Sequence, residues 1–281
     1  MIFIPDALLD RLLQEDIQGG DVTTRALGIG ERDGEMHFIH RQGGCVSAID
    51  TACRMLRRLG IEAQARVEDG ALVGAGAQLV SAQGRAKALH QGWKAVQNLL
   101  EWSCGVTNYQ FRMLQILRRY VPNGQIACTR KAVPGTRLLA AQAVLAGGGL
   151  IHRAGTADTL LVFANHRRFL ADDDWPGMVA RLRMAAPEKA VVLEADTPAE
   201  ARLALAAQPD VLQLDKFTPH DIAALLALAR QIAPHCRISA TGGITQHTVE
   251  AFARTGVPLL ITSAPYYAPP ADIQVQLLPL A

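Results

Sequence analysis

The sequence predicts an α/β protein: a parallel sheet wound with helices over 107–265, and a separate α+β domain over 1–106. Three observations lead there. Short apolar runs alternate with helical patterns from about residue 126 onward, those runs hold almost no polar residues, and the first hundred or so residues show no such alternation. A barrel and a doubly wound sheet both fit successive units spaced roughly 20 to 35 residues apart.

The runs of the second part lie at 126–129, 159–163, 190–195, 211–214, 237–240 and 258–262. Being almost wholly apolar, they suit strands covered on both faces. Helix starts follow two of them. Thr197-Pro198-Ala199-Glu200 offers a capping Thr, a Pro for the first helical position and a Glu to complete a capping box, and Thr218-Pro219-His220-Asp221 repeats the scheme. In the first part, a helix is expected over 6–14, strands around 35–40 and 63–67, a glycine-rich strand and turn at 70–80, and a helix over 86–103.

Composition narrows the function class. Hydrophobic residues make up 49% and charged residues 19% of 281, a globular balance. The formal charge of +2, with Lys and Arg scattered, gives no reason to expect nucleic acid as a partner. Asp6 and Asp10 interrupt the apolar N-terminus, so a signal peptide is not expected, and no apolar run reaches the roughly 20 residues of a membrane span. Five widely spaced cysteines, without metal-site spacing, read as reduced thiols of a cytoplasmic protein.

Four features could carry chemistry. Thr129-Arg130-Lys131 follows a strand, where parallel barrels build their active sites; it is either a pair of cations over a pocket or a solvated loop. Gly147-Gly148-Gly149 leads into His152-Arg153, as an anion site or as a helix end with Arg153 on the surface. Glu194 and Asp215 end apolar strands, where sugar hydroxyls or a Mg²⁺ holding phosphate would satisfy them, unless they cap the next helices. Thr241-Gly242-Gly243 and Thr262-Ser263 end the last two strands, the frequent phosphate site of such barrels. An unrelated barrel aldolase would instead need a Schiff-base lysine, for which Lys216 and Lys131 are the strand-end candidates.

In this order the residues resemble the nicotinate-nucleotide pyrophosphorylase, or quinolinate phosphoribosyltransferase, family. The run from Glu15-Asp16 through Gly20-Asp21 to Thr23-Thr24 is similar to its E-D-x-x-x-G-D-x-T-T signature. Asn98 to Gly105 falls at its L-N-x-x-x-x-x-S-G segment, Thr129-Arg130-Lys131 with Pro134-Gly135 and Arg137 at T-R-K-T-x-P-G-x-R, and Gly147 to Arg153 at G-G-G-x-N-H-R. Asn165-His166 falls at the end of L-I-K-D-N-H. More narrowly, the chain is similar to the ModD branch, associated with molybdenum-transport operons.

The resemblance implies an incomplete TIM-like α/β barrel of the type II phosphoribosyltransferase kind with an N-terminal α+β sandwich domain, residues 266–281 packing back on that domain, and a homodimer. It implies a reaction of phosphoribosyl pyrophosphate, with Mg²⁺, and an aromatic acid or base. Arg130, Lys131, His152 and Arg153 would bind acid groups or diphosphate. Glu194 and Asp215 would hold ribose and metal, with Lys131 joining them as a catalytic group. Thr241, Gly242, Gly243, Thr262 and Ser263 would hold the 5-phosphate, and Lys94 stands where the family has an Arg donated by the neighbouring subunit.

The departures are specific. Ala140-Ala141 replaces Glu-Lys, Phe163-Ala164 replaces Lys-Asp, and Ile151 replaces the Asn of N-H-R. Two lost lysines, each worth roughly 1.5 to 3 kcal/mol as a charge-assisted bond, amount to about a hundredfold to ten-thousandfold in affinity or rate. That argues for an acceptor other than quinolinate, or for a non-catalytic phosphate- or oxyanion-binding protein on the same fold.

Overall fold

The computed structural model describes residues 2–171 and 174–280. Met1 and Ala281, the outer limits of the expected domain ranges, lie outside the described residues. The chain forms two compact units.

The first unit holds the chain as far as Phe111, Ala132–Gly148 and the chain from Pro265. Its four-stranded antiparallel sheet runs in the order Ile273–Pro279, Asp33–His40, Ala77–Arg85, Glu62–Ala65. Met36, Phe38 and His40 alternate inward, as a sheet with one covered face requires. The helix Ile49–Arg58 buries Ile49, Ala52, Cys53 and Leu56, an i, i+3, i+4, i+7 stripe, in the same core. The glycine-rich stretch at 70–80 supplies two strands: Leu72–Val73 pairs with Gly44–Cys45, and Ala77–Arg85 enters the main sheet.

One expected boundary is corrected. The helix begun at Ala86 does not end at Ser103 but runs to Tyr120. Gly105, at the expected break, sits inside the helix, where a Cβ would strike the backbone of Pro269 and Pro270. Its role is close passage of two backbone segments, not termination.

The second unit holds Arg112–Lys131 and Gly149–Ala264. Its seven strands are all parallel, in the order Leu150–Ile151, Gln125–Cys128, Leu259–Thr262, Arg237–Thr241, Val211–Asp215, Val191–Ala195, Leu160–Val162. Leu150–Ile151 and Leu160–Val162 are the two edges and are not bonded to each other, so the sheet is an incomplete barrel. Both expected helix starts form: Thr197 Oγ1 accepts from Glu200 N and Thr218 Oγ1 from Asp221 N, each with Pro at the first helical position. Among the described residues no helix is long and apolar enough to cross a membrane. Four of the five cysteines are buried and Cys236 is half-buried, and none of the five is in a disulfide.

Candidate active site

Glu194 and Asp215 lie on neighbouring strands, and parallel pairing sets what stands beside each. Gln213 is in register with both Glu194 and Ser239, and Asp215 with Thr241. Gln213 Nε2 donates to Glu194 Oε2 at 2.5 Å. Burial pushes the Glu194 carboxyl up to about 7, with the nearby Asp215 and Asp196 carboxylates acting the same way against the Gln213 bond. Neither acid caps a helix. Thr197 and Thr218 do that work, and Asp215 instead pairs with Lys216 Nζ at 3.3 Å.

The glycine cradle touches this pair. Gly242 and Gly243 have φ of +90° and +70°, the left-handed region that favours glycine. A Cβ on Gly242 would lie 2.8 Å from Lys216 N and 2.9 Å from Asp215 Oδ1. Lys216 itself adopts a φ of +59°, uncommon for a side-chain-bearing residue, while its N–H donates to the Thr241 carbonyl at 2.8 Å. Nothing stands within 4 Å of the Cβ position of Gly243, so the cradle is open there. Thr262 is turned to structure: its hydroxyl donates to the Ile244 carbonyl at 2.7 Å and accepts from Ala264 N at 3.0 Å. Ser263 beside it is half-buried.

The basic residues divide. Arg130 and Arg153 line one cavity of about 370 Å³. Arg153 is 7% exposed, not on the surface. Burial, and Arg130 close by, hold its pKa below the usual guanidinium value, while Glu194 and Asp158 pull the other way. Arg153 therefore stands within electrostatic reach of both Arg130 and Glu194. His152 does not share that cavity. It lines a second one of about 360 Å³, toward the starts of the strands, with Ser239 and Arg237. Burial, with Arg153 nearby, drops its pKa to about 4 and leaves it neutral. The expectation of one cavity for all four cationic positions is thus corrected: Arg130 and Arg153 share one, and His152, just past the end of its strand, lines another. Lys131 is exposed and lines neither cavity. Lys94, in the first unit, donates to Gln97 Oε1 at 2.8 Å with its Nζ 4.0 Å from the Trp93 ring centroid. Lys216 is mostly exposed, pairs with Asp215 and lines neither cavity, which removes the support for an aldolase.

Two residues beyond the expected set hold the site together. Gln213 gave no signal, since only strand register brings it to Glu194. Arg167 follows Asn165-His166 and its side chain is 8% exposed: it donates to the Glu194 carbonyl at 2.8 Å, pairs with Glu200 at 2.9 Å and lies over the Trp175 ring at 4.6 Å. The glycine run at 147–149 ends the helix Arg137–Ala146, and a Cβ on Gly147 would come within 2.6 Å of the Thr107 carbonyl. It therefore serves helix ending and close packing.

Known proteins place this arrangement. The family model described as quinolinate phosphoribosyl transferase, C-terminal domain, matches residues 106–276, and its N-terminal counterpart matches 21–104. The chain is 60% identical to "Putative pyrophosphorylase ModD" of Escherichia coli O6:H1 over 282 aligned positions, covering 100% of this chain and 99% of that protein. It is 29% identical to the carboxylating nicotinate-nucleotide pyrophosphorylase of Mycobacterium leprae, covering 90% of each. The solved nicotinate-nucleotide pyrophosphorylase of Francisella tularensis superposes with a TM-score of 0.87 at 25% identity, covering 98% of both chains. That of Ehrlichia chaffeensis, at 20% identity, shares the fold with a TM-score of 0.89. This chain belongs to the quinolinate phosphoribosyl transferase family and is a pentosyltransferase-type enzyme.

Proposed function

We propose that the enzyme transfers the phosphoribosyl group of phosphoribosyl pyrophosphate, with Mg²⁺, to an aromatic acid or base other than quinolinate, as a cytoplasmic homodimer in a molybdenum-related context. The observation that carries the transfer is the row of strand ends in which Glu194 and Asp215 stand beside the open Gly242-Gly243 cradle. The molybdenum context rests on the resemblance to the ModD branch alone.

In such a transfer the bond from ribose C1′ to the diphosphate oxygen breaks, and pyrophosphate leaves with the electron pair. A lone pair of the acceptor forms the new bond to C1′. Positive charge builds on the sugar and negative charge on the leaving group, so the protein's contribution is electrostatic positioning. Glu194 and Asp215 face the sugar, the cradle N–H groups hold the 5-phosphate, and Arg130 and Arg153 receive acid or diphosphate oxygens. Two neighbouring carboxylates fit Mg²⁺, which takes one or two from a protein and its other ligands from water and substrate phosphate; among the described residues no group of three or more His, Cys, Asp or Glu could hold a metal. Bound there, Mg²⁺ would supply positive charge to the departing diphosphate.

Phosphoribosyl pyrophosphate with Mg²⁺ is expected to raise the melting temperature, and Glu194→Ala or Asp215→Ala to abolish the rise. Pyrophosphate release across a panel of aromatic acids identifies the acceptor. A saturating mixture that leaves the melting temperature unchanged overturns the reading.

A further inference from the structure

The cavity shared by Arg130 and Arg153 has an unusual composition. It runs along the unpaired edge of the incomplete barrel, where Leu160, Leu161 and Val162 form one wall and Met178 and Leu182 of the helix Trp175–Ala185 the other. Among the described residues no lysine and no carboxylate lines it. Its positive charge comes from the two guanidiniums, which are close enough to perturb each other. Phe163 has its ring fixed twice, 5.5 Å from the Arg153 guanidinium carbon and stacked on His166 with centroids 5.6 Å apart. Thr159, also on the wall, carries a buried hydroxyl with no hydrogen-bond partner.

Taking the site to transfer a phosphoribosyl group, as above, we propose that this slot holds the acceptor, and that the acceptor is a head-and-tail molecule: one acid head at Arg130 and Arg153, and a flat apolar body, larger than a single ring, laid along the open edge beside Phe163. About 370 Å³ lies in the range of pockets that enclose ligands well beyond one ring, and beyond the two guanidiniums its described lining is mostly apolar, a poor setting for a second charged group.

Calorimetry on the whole protein, without phosphoribosyl pyrophosphate, tests the slot directly. The probes are quinoline-2-carboxylate, pyridine-2-carboxylate and pyridine-2,3-dicarboxylate. The two-ring acid is expected to bind at least about tenfold more tightly than the one-ring acid, since the second ring adds apolar area to be buried. Arg153→Gln should weaken both monoacids alike. Leu182→Trp, at a half-buried position, should weaken only the two-ring acid. Equal affinity for one and two rings, tighter binding of the dicarboxylate, no binding of any acid, or indifference to Arg153→Gln each overturns the proposal. The melting shift with phosphoribosyl pyrophosphate and Mg²⁺ is measured in parallel. Size-selective acid binding without that shift leaves the slot standing and removes the transferase reading; the shift without size selectivity does the reverse.

Discussion

The two sides of the barrel differ in how many flanks of each strand are bonded. On the bonded side, Glu194, Gln213, Asp215, Thr241 and Gly242 are placed by strand register and backbone dihedrals, so each position is fixed by atoms that cannot move independently. On the open side, Leu160 to Val162 are bonded on one flank only, to Val191–Leu193, and face Met178 of the helix Trp175–Ala185 across the cavity. The difference teaches where the family's chemistry can vary. Charges held by backbone tolerate little change, while an apolar wall accepts substitutions of similar volume.

The largest expected effect sharpens that contrast. Gly242→Ala puts a methyl against Lys216 N and Asp215 Oδ1 and forces a side-chain-bearing residue to a φ of +90°. A loss of about 2–4 kcal/mol in stability and of all measurable phosphoribosyl pyrophosphate binding is expected, read by denaturant melting and calorimetry. Met178→Leu on the open wall should cost less than about 1.5 kcal/mol. Comparable losses at the two positions would erase the distinction.

Arg167 is the point where the two sides meet, since it follows the open-edge strand and bonds the Glu194 carbonyl. Arg167→Ala should destabilise by about 2–3 kcal/mol, because it leaves the carbonyl and Glu200 without their cation. Arg167→Lys, which keeps the charge but not the forked geometry, should recover only part of that.

The smallest effect is a pair of opposed pH slopes. The Glu194 pKa is raised from 4.5 to about 7 on folding, so its contribution is fully present below 4.5 and is lost as pH rises through about 7. The His152 pKa is lowered from 6.5 to about 4, so its contribution is present above 6.5 and is lost as pH falls through about 4. The two offset between pH 4.5 and 6.5. Melting curves of Glu194→Gln should expose the His152 slope, with stability falling toward acid, and those of His152→Gln the opposite trend.

Strands, helix starts and the cradle were legible because each is local: β-branched runs, Thr-Pro caps and paired glycines act within a few residues. What depended on partners far away in sequence was not. Gln213 announces nothing until register sets it beside Glu194, and His152 and Arg153, adjacent in sequence, line different cavities. Gly105 looks like a helix stop and is a point of contact with Pro269 instead. Nor does local pattern reveal that Ala132–Gly148 belongs with the first unit. The departures Phe163 and Ala164 were visible as letters, but their meaning required seeing the Phe163 ring against Arg153 and His166.

The register of His40 with Ile273 carries a temporal consequence. The strand Asp33–His40 sits between two partners in its sheet, and one of them emerges from the ribosome only after the whole of the parallel sheet has been made. The earliest-synthesised sheet must therefore wait, with one flank unpaired, for its final strand. During that interval it is the part of the molecule most open to wrong pairing, and chaperone holding would matter most there.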